Sequence, residues 1–204
     1  MNHISDEGPA SVHSIMSELR QALQSGNHPY LTPVIATRSA SAYGANSRVV
    51  ILRKATPEPA ALEFHTNVGA AKVAELNDNP YIAWTFYNPA EGVQLRIYTE
   101  AALHSQNTLA REAWDELHPG SKKIYTIRKP SGSRINDPDE ALPSNFSSRN
   151  LSHEMVEEGY AQFCRVQCPV RQIDWLKIDS SRHIRKKFVW QEQTGTFASC
   201  WVVP

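Results

Sequence analysis

Residues 47–54 read S-R-V-V-I-L-R-K, residues 62–67 read L-E-F-H-T-N, and residues 68–80 read V-G-A-A-K-V-A-E-L-N-D-N-P. Arg48 opens a run rich in β-branched residues, the composition of a buried strand. A second strand over 61–66 runs into Thr66 and Asn67. A short helix over 68–76 follows; it begins with small residues and Lys72 and is stopped by N-D-N-P. Cations, a hydroxyl and helix-start N–H groups are what a chain uses to hold a phosphate. Each piece also has a plainer reading. Arg48 can be a strand-end charge, Lys72 a solvated helix charge with its stem on the surface, and Thr66 and Asn67 a helix cap.

Outward from this stretch, strands dominate. Ser11 can cap a helix over 12–25, with Val12, Ile15, Met16, Leu19 and Leu23 on one face and Gly26 as its stop. Residues 31–37 read as a strand, and Pro33 predicts an edge position for it. Tyr81–Tyr87 is an aromatic-rich strand, N-P-A-E-G a turn, and Val93–His104 a long alternating strand. Residues 108–117 read as a helix with Leu109, Ala113 and Leu117 on one face, and 121–127 as a shorter one. Further strands are expected at 162–167, 173–178, 183–191 and 196–203, the last two joined at Thr194–Gly195. Residues 1–10 read as a loose tail, and the polar stretch 130–152 as a mobile loop or lid. Many short strands joined by turns imply a mainly β, antiparallel barrel with peripheral helices in one domain spanning 1–204.

The 204 residues suffice for a proper core, and 41% of them are apolar. Basic and acidic residues number 21 each, so no global field draws in nucleic acid or an anionic membrane, and any anion site is local. The cysteines are three, Cys164, Cys168 and Cys200, with no C-x-x-C pair; this argues against a disulfide framework and favours buried, reduced thiols over a bridge or metal clip between Cys164 and Cys168, which share a face if their segment is a strand. The opening M-N-H-I-S-D-E-G-P-A has no apolar core of a secretory signal, and no apolar run spans a bilayer. The expectation is a soluble, cytoplasmic protein. The eight histidines include no H-E-x-x-H and no clustered metal spacing, so no metal site is expected. Trp84, Phe86 and Tyr87 read as core or as a dimer interface.

Residues 47–103 resemble the FMN-binding core of the pyridoxamine 5'-phosphate oxidase family. R-V-V-I-L-R is similar to that family's R-x-V-L-L-K, H-T-N-V-G-A-A-K to Y-T-N-x-x-S-R-K, and Q-L-R-I to its Q-V-R strand. The resemblance implies a six-stranded antiparallel split β-barrel of the FMN-binding type, an oxidoreductase acting on a small molecule, and a homodimer with FMN at the subunit interface. It assigns Arg48, Thr66 and Lys72 to the phosphate, and Val49, Val50, Ile51, Leu52 and Arg53 to the strand against the flavin. His65 stands where the family has tyrosine, and Gln94 falls at the glutamine that meets the ring. Toward the C-terminus, S-R-H-I-R-K-K is a looser match to R-L-H-D-R. Trp175 sits one position off the family's tryptophan, whose place Leu176 takes. Arg182 and His183 then become substrate-binding candidates. Arg185 or Lys186 becomes the last basic residue, and Lys186 is taken as the cofactor ligand. Ala70 and Ala71 replace the serine and arginine of S-R-K. The family's substrate-phosphate cluster has no clean counterpart in W-D-E-L-H-P-G-S-K-K-I-Y. The alternative reading is a flavin- or haem-binding barrel without turnover, with His65, His118 or His183 as haem ligands.

Overall fold

The computed structural model describes residues 8–39, 44–127, 129–142 and 153–204. The chain divides into two compact units: Met1–Phe64, Asn79–Ala101 and Gln167–Pro204 form one, His65–Asp78 and Ala102–Val166 the other. The described strands are β1 (Val34–Arg38), β2 (Ala45–Val49), β3 (Lys54–Pro57), β4 (Ala60–Asn67), β5 (Tyr81–Asn88), β6 (Val93–Glu100), β7 (Ala102–His104), β8 (Phe163–Lys177), β9 (Ile184–Gln191) and β10 (Thr196–Val202). They join one sheet in the order β10-β9-β8-β6-β5-β1-β2, with β4 pairing β3 and β8, and β7 pairing β8. The sheet is antiparallel and open, with few helices: a mainly β split barrel, as expected. Among the described residues no helix is long and apolar enough to cross a membrane.

The first unit holds helix α1 (Val12–Ser25), which has the bounds its pattern predicts. Ser11 and Ser14 form a reciprocal capping box, and Gly26 ends the helix in the left-handed region. The helix buries Val12, Ile15, Met16, Leu19 and Ala22 and packs against β3. Trp84 and Phe86 alternate inward along β5 and are fully buried with Tyr30 and Phe64; Tyr87, on the outward side, is exposed. The Trp84 indole N–H donates to Thr99 Oγ1 at 2.9 Å, which satisfies both buried polar groups. Gly92 closes the β5–β6 turn at φ 62°, and a Cβ there would stand 2.4 Å from the Ile178 carbonyl, so only glycine fits.

Several strand expectations are corrected. β1 is not an edge strand, because it lies between β2 and β5. Pro33 precedes its first residue, where a missing N–H costs no ladder bond. The predicted strand 93–104 breaks at Ala101 into β6 and β7. The predicted strands 162–167 and 173–178 are one 15-residue strand, β8. Its register against β6 shifts between Tyr98 and Thr99, where Tyr98 pairs with Gln172 and Thr99 with Val170. Arg171 is therefore the extra residue of a bulge, beside Pro169, and the alternation changes phase there. Cys168 and Val170 are buried before it, Ile173 and Trp175 after it.

The second unit contains α2 (Ala71–Asp78), α3 (Thr108–Glu116), α4 (Pro119–Lys122) and α5 (His153–Glu157). The expected helix 121–127 is instead α4 followed by a 3-10 turn over Lys123–Thr126. On α3 the buried face is Ala110, Ala113 and Trp114, continued by Leu117; Leu109, expected on it, is exposed. Trp114 packs with Tyr125 and Phe163 and donates its indole N–H to Glu157 at 3.1 Å. Of the polar stretch 130–152, residues 143–152 lie outside the described residues, and Pro138–Ala141 forms a 3-10 turn. Residues 1–7 of the expected tail also lie outside them.

A buried ion cluster ties β6, β8 and β9 together. Asp174 on β8 is 2% exposed. Arg185 grips it through Nε and Nη2 at 2.8 and 2.7 Å, and Arg96 donates to it at 2.6 Å. Burial pushes the Asp174 carboxyl up, but the bonds from Arg185 and Arg96 hold it below its ordinary value. Removing Asp174 strands two cations. Asp174→Ala should therefore cost about 3 kcal/mol, the low end for a broken buried pair because both arginines keep some contact with water. Because the folded carboxyl is depressed, its contribution is complete above roughly pH 4 and is lost as pH falls through the lowered value. Urea unfolding of wild type and Asp174→Asn should show a clear gap at pH 7 that narrows on acidification; a constant gap would contradict the assignment.

Candidate functional site

In the second unit, β4 ends at Asn67 and a tight turn leads into α2. Thr66 is buried, and Lys72 reaches back so that its Nζ donates to Thr66 Oγ1 at 3.1 Å. The structure thus brings together two of the residues expected at a phosphate. Asn67 builds the turn: its Oδ1 accepts from the Gly69 N–H at 2.8 Å and its carbonyl from the Ala70 N–H at 3.0 Å. Those two amides, which the sequence offered to an anion, are already occupied. A Cβ on Gly69 would stand 3.7 Å from Pro130 Cβ, so the start of the polar stretch lies against this turn. His65 packs edge-on against Phe163, with ring centroids 4.9 Å apart.

In the first unit, Arg48 lies on β2 opposite Ile35. Its Nη1 donates to Thr37 Oγ1 and, at 3.0 Å, to the Asn46 carbonyl, so the guanidinium braces the β1–β2 hairpin. Beyond β2 the chain stays extended. Val50 and Leu52 point inward and are buried, and their N–H groups donate to the Pro33 and Leu31 carbonyls at 3.0 and 2.9 Å. The Arg53 N–H donates to the Glu63 backbone carbonyl at 2.8 Å. Val49 and Ile51 face outward, 61% and 52% exposed. Val34, paired with Val49, is exposed too, as is Tyr87. These side chains form exposed apolar surface.

The strand registers separate Arg185 from Lys186. Gln94 pairs with Leu176, which pairs with Arg185, so the three share one face. Lys186 pairs with Trp175, which pairs with Leu95, and so faces the other way. Its ammonium donates to the Pro9 carbonyl at 3.0 Å and stands 4.9 Å from the Trp201 ring centroid. Of the two basic residues at the end of the C-terminal match, Arg185 thus shares Gln94's face, and Lys186, the one taken as the cofactor ligand, does not. One residue of offset is invisible without the register. The sequence also missed Asp174 and Arg96, which orient Arg185; they are 78 residues apart and only the β6–β8 register brings them together. Arg182 and His183 lie exposed in the turn between β8 and β9, where His183 Nδ1 accepts from the Asp179 N–H at 3.2 Å. His118 Nδ1 accepts from the Gly120 N–H at 3.1 Å. Among the described residues no group of three or more His, Cys, Asp or Glu side chains is placed to hold a metal ion.

No protein-family model and no curated protein matches the sequence. Solved structures do match the fold. A pyridoxamine 5'-phosphate oxidase-related, FMN-binding protein from Nostoc punctiforme aligns over 97% of this chain and 99% of its own, at 17% identity and a TM-score of 0.71. PhzG from Burkholderia lata, in complex with tetrahydrophenazine-1-carboxylic acid, aligns over 100% and 98% at 15% identity and a TM-score of 0.66. A Clostridium acetobutylicum protein of the pyridoxinephosphate oxidase family, related to a general stress protein, aligns over 85% and 94% at 10% identity and 0.52. At these identities the likeness establishes the fold, which is the one the resemblance in residues 47–103 implies.

The three cysteines are free, Cys164 and Cys168 buried and Cys200 exposed on β10. Burial pushes the Cys164 thiol up to about 11 and that of Cys168 further still. A thiol reagent at pH 8 should titrate Cys200 alone in the native protein and all three after unfolding; fast modification of Cys164 or Cys168 would contradict the burial.

Proposed function

We propose that this split-barrel chain is an FMN-binding flavoprotein, an oxidoreductase acting on a small molecule, and a homodimer with the flavin at the subunit interface. The observation that carries this reading is the Lys72–Thr66 pair at the start of α2. It sets a cation and a hydroxyl where the family resemblance assigns a phosphate. Arg48 is the second cation of the proposal, its planar fork suited to two phosphate oxygens. The outward Val49 and Ile51 offer a flat apolar bed for the ring. Gln94 presents an amide able to donate to or accept from the ring edge. Arg185, locked by Asp174, holds a positive charge on Gln94's face. Arg182 and His183, exposed beside β9, are the proposed contacts to the substrate. When bound, the flavin supplies hydride or electron transfer, and the protein's part is to bind, orient and shield it. The apolar row Val34, Val49, Ile51 and Tyr87 supports the dimer, because a second subunit would cover it. Free cysteines support a reducing, cytoplasmic setting.

Ala70 and Ala71 leave this phosphate site with fewer ligands than the family pattern. Each missing charge-assisted bond is worth roughly 1.5–3 kcal/mol, so retention rests heavily on Lys72. The purified protein should be yellow and release FMN. Lys72→Ala with Thr66→Val should weaken FMN binding about tenfold or more while the fold melts normally. Arg185→Gln should weaken it and Lys186→Gln should not. Bleaching of the flavin by NADPH or by pyridoxamine 5'-phosphate would identify the reductant. A colourless protein that fails to bind added FMN would refute the proposal, and a Soret band would replace the flavin with haem.

A further inference from the structure

Arg96, Asp174 and Arg185 hold a fixed charge on the face that Gln94 shares. Gln94 and Arg96 stand two residues apart on β6 and so lie on one side of the sheet. Asp174 pairs with Arg96, and Leu176, two residues on, pairs with Gln94 and with Arg185. All three backbone positions therefore lie within two strand spacings of Gln94, a reach of roughly 10 Å. Lys187, which pairs with Asp174, adds a further cation to this face.

The acid of the cluster lies beneath its cations. Asp174 is 2% exposed, whereas the side chains of Arg96 and Arg185 keep 38% and 22% of their surface. Burial works against the Asp174 charge, yet the bonds from Arg185 and Arg96 hold its carboxyl below its ordinary value, and the bond to Asp174 lifts Arg185 above its own. All three groups are ionised at neutral pH, and two cations with one acid leave a surplus of one positive charge. Arg185 is held at two points, through Nε and Nη2, so its direction is fixed as well as its charge.

Reduction of a flavin ring by two electrons and one proton adds one negative charge to it. A positive charge fixed nearby binds the reduced ring more tightly than the oxidised one, and the ratio of those affinities is the shift in its reduction potential. A unit charge roughly 10 Å away, at an effective dielectric of about 20, changes this ratio about tenfold. We propose that Arg96 and Asp174 set the reduction potential of the bound flavin, by fixing the net charge of the row and the aim of Arg185. The inference rests on the flavin reading above. Neither residue has to touch the ring; both are positioning residues that act through Arg185 and through the field.

The test is the potential of the full-length holoprotein, read by equilibration with a dye of known potential while xanthine and xanthine oxidase supply electrons. Arg96→Gln removes one positive charge and leaves the two-point contact of Arg185 with Asp174. It should weaken reduced FMN about tenfold relative to oxidised FMN, a fall of about 30 mV for a two-electron couple. Asp174→Asn removes the negative charge and should move the potential up by a similar amount. The double variant restores the wild-type charge and should bring the affinity ratio back to within about twofold of wild type. Arg96→Lys keeps the charge and should keep the potential. Lys186→Gln removes a cation from the opposite face and should leave the potential where it was. If Asp174→Asn does not fold, Arg96→Gln against Arg96→Lys still decides the matter. An unchanged potential in Arg96→Gln overturns the proposal, as do equal losses in Arg96→Gln and Arg96→Lys. Shifts of one sign in Arg96→Gln and Asp174→Asn also overturn it, because a merely loosened Arg185 acts alike in both. A wild-type protein that binds no FMN overturns the flavin reading itself, whereas bound FMN indifferent to Arg96 overturns this inference alone.

Discussion

Asp174 is a carboxylate almost removed from water, and three strands are arranged around the need to neutralise it. An isolated charge at that depth would cost several kcal/mol. Arg96 from β6 pairs with it directly, and Arg185 from β9 reaches it diagonally from beside Leu176. A slip of one residue would carry either arginine to the opposite face. The cluster thereby fixes which side chains line the outer face of β6, β8 and β9, and hence that Gln94, Leu176 and Arg185 form a row. The positive charge offered on that face is set by the core's electrostatics as much as by any ligand.

The same constraint explains what could and could not be read from residues alone. Local signals were legible: the Ser11 cap, the Gly26 stop, the N-P-A-E-G turn and the alternation of Val93–Glu100 all lie within a few residues of what they specify. The meeting of Thr66 and Lys72 was legible too, because they are six residues apart and one turn joins them. Anything that depended on pairing between distant strands was hidden. Lys186 and Arg185 are adjacent in sequence and opposite in direction, and only the β8–β9 register separates them. β8 looked like two strands because the bulge at Arg171 shifts its alternation by one, which a period-two reading takes for a break.

The two units place their polar groups differently. In the second, Lys72, Thr66 and Asn67 are organised by a short turn whose backbone amides are partly consumed by its own cap. In the first, Arg48, Arg96, Asp174 and Arg185 stand on strands, where position is held by ladders rather than by loops. A ligand's phosphate and a ligand's ring make different demands of this kind. A phosphate tolerates a mobile lysine, whereas a planar ring needs a flat and stationary bed.

The contact of Gly8 with β10 has a consequence for the path of the chain. A Cβ on Gly8 would stand 3.2 Å from the Trp201 ring, and Lys186 holds the next residue, Pro9, by its carbonyl. Residue 8 therefore lies within a few residues' span of Val202, where the last strand ends. β10, the outermost strand in the sheet order, is thereby backed by the segment that precedes α1 as well as by its ladder to β9, and an unpaired strand edge is what such backing protects.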